Sequence, residues 1–235
     1  MIGYAIVVAA GRGRRMGGET PKQYLDLGGA TILQRTLEAV SAAGDVRGVV
    51  LVVPHGDVVY CKDEIVDKAA LAKVRRVVAG GPSRQESVAH GLAAIEKLGE
   101  TPDVVAIHDG VRPFVDPAIV DKALRTALHF GGALAASPVV ETIKEVTDDG
   151  FVRCTPDRRC LFRAHTPQAF AWFTLLDAYR RAANDDFTGA VDDCQLVERV
   201  GGRIIIVDDG DHNTKITTPT DLVFARALWK DLHGK

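Results

Sequence analysis

The chain predicts an α/β fold: a single doubly wound, mostly parallel sheet spanning residues 1–235, with a projecting β-hairpin arm. Three observations carry that expectation. Short, continuous apolar runs alternate with helical patterns, as they do when strands are buried on both faces. Three of those runs end in glycine-bearing loops, after Ala10, Ala79 and Ile107. A stretch at about 138–161 breaks the rhythm and reads as extended pieces around the turn Asp148–Asp149–Gly150.

The first strand is expected at Tyr4–Ala10. A helix follows at about Thr31–Ala43, where Thr31 is placed to cap and Ile32, Leu33, Leu37 and Val40 share one face. Val49–Val53 and Val74–Ala79 read as strands, and a helix starts at about Ser83 after Gly80–Gly81–Pro82. Val104–Ile107 is a strand that runs into His108–Asp109–Gly110. The next helix, about Pro117 to Phe130, opens on a proline, whose missing N–H is not needed in a first turn. Beyond the arm, helices are expected at about Trp172–Ala183 and Asp192–Val200, a strand at Arg203–Val207, and a last helix at about Thr218–Leu232. In such sheets ligands bind beyond the carboxyl ends of the strands, where the three glycine loops converge.

Apolar residues make up 46 % of the 235, enough for a sizeable core. The formal net charge of −2 and the lack of a basic block argue against a nucleic-acid binder. No apolar run approaches the roughly 20 residues of a membrane span, and none reads as a signal peptide. The four cysteines, Cys61, Cys154, Cys160 and Cys194, have neither C-x-x-C nor zinc-finger spacing, so reduced thiols in a cytoplasmic protein are expected.

The strongest chemical signal is Ala9–Ala10–Gly11–Arg12–Gly13–Arg14–Arg15–Met16–Gly17, with Pro21–Lys22–Gln23 after it. Glycines let backbone N–H groups approach a phosphate, and four nearby cations suit a triphosphate. Met16 stands where a dinucleotide fingerprint needs its third glycine, which disfavours a dehydrogenase, and no P-loop pattern is present. A glycosyltransferase would want a D-x-D motif, whereas His108–Asp109–Gly110 offers one acid. His108 and His165 read as structural hydrogen-bonders. Asp192 and Asp193 read as the start of a helix rather than a metal pair.

AAGRGRRMG…PKQY, GGPSRQESV (80–88), HDGVRP (108–113), ETIK (141–144), DRRCLFRAHTPQ (157–168), DDCQLVE (192–198) and NTKIT (213–217) occur in one order over most of the chain. In that order they resemble the 2-C-methyl-D-erythritol 4-phosphate cytidylyltransferases, which have a Rossmann-like nucleotidyltransferase fold. The resemblance implies transfer of CMP from CTP to a polyol phosphate with release of pyrophosphate, in the non-mevalonate route to isoprenoid precursors. It implies that Ala9, Ala10, Gly11 and Gly13 hold the CTP phosphates and ribose, and that Arg15 and Lys22 stabilise the transition state at the α-phosphorus. Gly80, Gly81 and Ser87 would read the cytosine. Asp109 and Gly110 would lie near the ribose and the Mg²⁺-triphosphate, with Asp109 meeting the metal directly or through water. Arg112 and Thr142 would contact the acceptor from the neighbouring subunit, and Arg158 and Lys215 would position its phosphate beside Thr166. The arm would make a homodimer. D-ribitol-5-phosphate cytidylyltransferase is the alternative within the class, and more remotely another nucleotide-sugar enzyme.

Overall fold

The computed structural model describes residues 1–11 and 20–234. The elements are β1 (Gly3–Val8), β2 (Asp26–Leu27), β3 (Ala30–Thr31), α1 (Ile32–Ala42), β4 (Val46–Val53), α2 (Val58–Tyr60, continuing as a π-helical stretch at Cys61–Asp67), β5 (Val74–Ala79), α3 (Arg84–Glu96), β6 (Val104–Asp109) and α4 (Pro117–Phe130). After them come β7 (Gly132–Pro138), β8 (Glu145–Val146), β9 (Val152–Cys154), β10 (Phe162–Ala171), α5 (Trp172–Asn184), α6 (Asp193–Arg199), β11 (Ile205–Asp208) and α7 (Pro219–His233).

Among the described residues, seven strands form the main sheet in the order β11-β7-β10-β6-β1-β4-β5. All neighbours pair in parallel except β10, which is antiparallel to both β6 and β7. Alternate residues of β1 face opposite layers. Ala5 and Val7 pack with Leu33, Leu37 and Val40 of α1 and Leu124 of α4. Tyr4 and Ile6 pack with Val88, Leu92 and Ile95 of α3, and with Leu175 of α5. Burying each such large side chain stabilises the fold by about 1.5–3 kcal/mol. That two-sided burial is why these strands read as unbroken apolar runs.

Helix starts follow their caps. Thr31 Oγ1 accepts the Gln34 N–H, and Asp116 Oδ1 accepts from Ala118. Ser83 with Glu86 and Thr218 with Asp221 form reciprocal capping boxes. Each such cap is worth about 1 kcal/mol.

The structure departs from the expectation in three places. β7 and β10 are strands that the periodicity does not announce. β7 is alanine-rich, a weak strand former, and is held by strands on both sides and buried faces. β10 contains Pro167, tolerated where the β10–β7 register shifts between Ala164 and Gln168. The helical stretch from Val58 to Asp67 was likewise not expected.

A third cluster joins the ends of the chain. Leu27, Ile32, Val111, Ile216 and Ala225 pack together, with Trp229 of α7 against them. Gly28, at φ +64°, turns β2 into β3, and a Cβ there would clash with the Trp229 indole. This packing brings the 213–217 segment to the end of β6, where the Ile216 N–H donates to Val111 O at 3.0 Å. Between β7 and β10, residues 139–161 are exposed except Val139, Pro156 and Leu161, and carry the antiparallel pair β8–β9.

Candidate active site

The chain steps outward from β1 in one direction to β4 and β5, then crosses back to place β6 on the other side of β1. The crevice beyond the carboxyl ends of β1 and β6 is therefore the switch point where α/β sheets bind ligands. A cleft lies there, lined by Ala9, Ala10, Gly11, Lys22, Gln23, Gly81, Pro82, Ser83, Arg84, Ser87, Asp109, Val111 and Lys215 among others.

Asp109 is its electrostatic centre. Lys215 Nζ lies 3.0 Å from Asp109 Oδ2, Arg112 Nε 3.2 Å from the same oxygen, and Arg84 Nε 3.9 Å from Oδ1. Burial opposes the ionised form, but Lys215, Arg84 and Arg112 outweigh it and hold the carboxyl well below the usual carboxylate range. The Asp109 N–H donates to Thr166 Oγ1 at 3.0 Å, and that hydroxyl donates to His108 Nδ1 at 3.0 Å. His108 Nε2 faces the Arg112 carbonyl at 3.1 Å, which can only accept, so Nε2 carries the proton. Burial pushes the His108 pKa down to about 4, so the ring is a neutral fastener rather than an acid. Arg112 also donates from Nη1 to Asn213 O at 2.7 Å, and Asn213 Nδ2 donates to Thr166 O at 2.7 Å. Thus Thr166, Arg112 and Asn213 brace Asp109 from behind.

The glycine loop after β5 is closed on itself. The Gly80 N–H donates to Val53 O at 2.8 Å, the Gly81 N–H to Ser87 Oγ at 3.2 Å, and the Ser83 N–H to Glu86 Oε2 at 2.9 Å. Ser87 Oγ donates to Ser83 O at 2.8 Å, so its hydroxyl buttresses the loop. A Cβ at Gly80 would stand 2.5 Å from Ala10 Cβ, and one at Gly110 2.8 Å from Ala9 Cβ. These two glycines allow the three loops to converge. Ala9 is also already bonded: its N–H donates to Val52 O at 2.7 Å and its carbonyl accepts from Gln23 Nε2 at 3.3 Å. Phosphate binding through the backbone therefore falls to groups beyond Ala9.

Of the residues singled out in the sequence, Ala9, Ala10, Gly11, Lys22, Gly81, Ser87, Asp109 and Lys215 line the cleft. Gly80, Gly110, Arg112 and Thr166 support it. Lys22 Nζ donates to Ile216 O at 3.2 Å, which ties the first loop to the 213–217 segment. Thr142 and Arg158 are exposed within residues 139–161, and Arg158 Nη1 donates to Val140 O. Neither lines the cleft. Gly13 and Arg15 lie outside the described residues.

Sequence reasoning missed Arg84, Gln23 and Asn213. Arg84 carried a legible signal. A cation in the first turn opposes the helix macrodipole, so its presence there asks for a reason elsewhere. Asp192 does begin a helix, its Oδ1 accepting the Gln195 N–H at 2.9 Å.

The family model for 2-C-methyl-D-erythritol 4-phosphate cytidylyltransferase matches residues 4–231. A protein of that name from Geobacter metallireducens is 44 % identical over 228 residues, covering 97 % of each chain. The crystal structure of a 4-diphosphocytidyl-2C-methyl-D-erythritol synthase from Anaerococcus prevotii is similar with a TM-score of 0.83 at 29 % identity, covering 97 % of this chain and 96 % of that one. That of a 2-C-methyl-D-erythritol 4-phosphate cytidylyltransferase from Thermus thermophilus gives 0.76 at 31 % identity, covering 97 % and 98 %.

Proposed function

The chain belongs to the 2-C-methyl-D-erythritol 4-phosphate cytidylyltransferase family, and from that membership we propose how its own residues carry out the reaction. The enzyme transfers CMP from CTP to 2-C-methyl-D-erythritol 4-phosphate, giving 4-diphosphocytidyl-2-C-methyl-D-erythritol and pyrophosphate on the non-mevalonate route to isoprenoid precursors. The observation that carries the mechanism is Asp109, ionised and held by Lys215 and Arg112 at the switch point.

The attacking phosphate monoester already bears about 1.5–2 negative charges near neutral pH, so it needs no general base. It needs alignment with the α-phosphorus and cations that cancel the repulsion between two anions. Lys22 and Arg15 serve at the α-phosphorus. Lys215 serves at the acceptor phosphate, oriented by Asp109. Arg158 and Thr142 would reach the acceptor from the 139–161 segment of a second copy, in a homodimer. The exposed Val146, Phe151 and Val152 on that segment support this reading.

The loop after β5 supports the choice of base. The N–H groups of Gly80, Gly81 and Ser83 are engaged within the protein, and Pro82 has none. Ser83 O and Gly81 O accept from Ser87, which leaves the Gly80 and Pro82 carbonyls as acceptors that suit the amino donor of cytosine and repel the O4 acceptor of uracil.

Among the described residues no cluster of three or more His, Cys, Asp or Glu forms a metal cage. Mg²⁺ commonly binds through one or two carboxylates plus substrate phosphates, and among the described residues lining the cleft Asp109 is the carboxylate that would hold it, directly or through water. Bound there, the metal would neutralise triphosphate charge and assist the leaving pyrophosphate. The four cysteines are unpaired, in keeping with a cytoplasmic setting.

The test is pyrophosphate release with Mg²⁺, comparing CTP with UTP and methylerythritol 4-phosphate with ribitol 5-phosphate. Release confined to CTP and methylerythritol phosphate is expected. Preference for ribitol phosphate would overturn the acceptor and keep the chemistry.

A further inference from the structure

Asp193 is a carboxylate that the helix cap does not use. Asp192 caps α6, yet Asp193, next to it, is fully buried. Burying a charge is costly unless it is paired. Its pairing leads back to the cleft. Tyr179 of α5 donates to Asp193 Oδ1 at 2.6 Å, and Arg84 Nη2 lies 2.7 Å from Asp193 Oδ2. Arg84 lines the cleft beside the loop after β5, and its Nε is 3.9 Å from Asp109 Oδ1. The guanidinium therefore bridges two carboxylates and lies closer to Asp193, the more deeply buried of the two. Asp193 itself is anchored to the sheet, its N–H donating to Gln168 Oε1 of β10 at 3.0 Å.

We propose that Asp193, backed by Tyr179, is a positioning residue for nucleotide binding: it holds the Arg84 guanidinium in the cleft wall and leaves the Asp109 carboxylate to Lys215 and Arg112. Without Asp193 the nearest anion to Arg84 is Asp109. Arg84 would close on it, compete with Lys215 and withdraw its own charge from the triphosphate. The damage falls on the nucleotide, because Arg84 lines the same cleft as Ala10, Gly11 and Lys22, the residues assigned to the CTP phosphates. The inference rests on the reading of this cleft as the CTP site.

The test is a double-mutant cycle read in CTP affinity by calorimetry and in the separate KM values for CTP and acceptor. Asp193→Asn keeps the shape and removes the charge. It is expected to weaken CTP about tenfold, the loss of one charge-assisted contact, with the acceptor KM changed less than about twofold. In an Arg84→Gln background the same substitution should shift CTP affinity by less than about twofold, since the group it acts through is gone. Tyr179→Phe should weaken CTP in the same direction by about threefold, and carries the test should Asp193→Asn not fold. An undiminished tenfold effect in the Arg84→Gln background, or CTP affinity unchanged in both single variants, would overturn the proposal. Should the wild-type protein bind CTP without releasing pyrophosphate, the reaction is misassigned while the coupling is still read in affinity. Should it bind no CTP, the site reading itself fails.

Discussion

Lys215 Nζ and Arg112 Nε meet the same oxygen of Asp109, at 3.0 and 3.2 Å. One carboxylate thus orients two cations, Arg112 from its own loop and Lys215 from the segment that α7 packs into place.

Asp109→Asn would strip that anchor and leave Arg84, Arg112 and Lys215 as three crowded cations. A loss of about 10²-fold or more in kcat/KM is expected, of the size seen when preorganised charge is removed. Steady-state pyrophosphate release measures it, and activity within threefold of wild type would contradict the central place given to Asp109.

Lys22 and Lys215 should separate kinetically. Lys22→Ala is expected to lower kcat on the order of 10²-fold with a smaller change in acceptor KM, because its charge is used at the transition state. Lys215→Ala should raise acceptor KM as well. Initial rates over a grid of both substrates distinguish the two patterns.

Acid should destabilise the fold in a defined window. His108 is held neutral, its pKa lowered from 6.5 to about 4 by burial. The unfolded chain binds the proton first, so this contribution is complete above 6.5 and is lost as pH falls towards 4. The loss amounts to about 3 kcal/mol. Asp109, also depressed, adds its loss only below its ordinary value of 3.8. The Tm should therefore drop between pH 6.5 and 4, and His108→Gln should flatten that slope whatever its effect at neutral pH.

Gly80→Ala would put a Cβ 2.5 Å from Ala10 Cβ and 2.7 Å from Ser87 Oγ. Overpacking of this kind costs about 1–3 kcal/mol. Thermal unfolding should show it, and calorimetry should show weaker CTP binding because two cleft walls are pushed apart.

The proposed homodimer is checked by sedimentation at micromolar concentration, with twice the chain mass expected. Replacing residues 145–154 by a Gly-Ser linker should shift the protein to monomer and raise acceptor KM, since Thr142 and Arg158 flank that stretch and reach the acceptor only if the 139–161 segment docks on a second copy. A monomeric wild-type chain with full activity would refute the role given to the second copy.

Much of the fold was legible because its signals are local. The strands of the parallel core are unbroken apolar runs, and the helix starts are carried by Thr31, Ser83, Pro117 and Thr218, whose partners lie three residues away or within the first turn. β7 and β10 were not legible. Alanines and a proline make strands here only because β6 and β11 stand on either side to take their hydrogen bonds. Arg84 was legible only as an anomaly, a cation at a helix N-terminus.

The sequence by itself determined the family and its reaction class, because seven ordered motifs carry the cations and glycines that phosphate chemistry requires. The tertiary structure alone decided how those groups are used. It bonds the N–H groups of Ala9, Gly80, Gly81 and Ser83 within the protein, gathers Arg84, Arg112 and Lys215 on Asp109, and ties Arg84 to Asp193. The physical reason is that hydrogen-bond saturation and charge pairing are settled between residues far apart in the chain, where neither periodicity nor composition reaches.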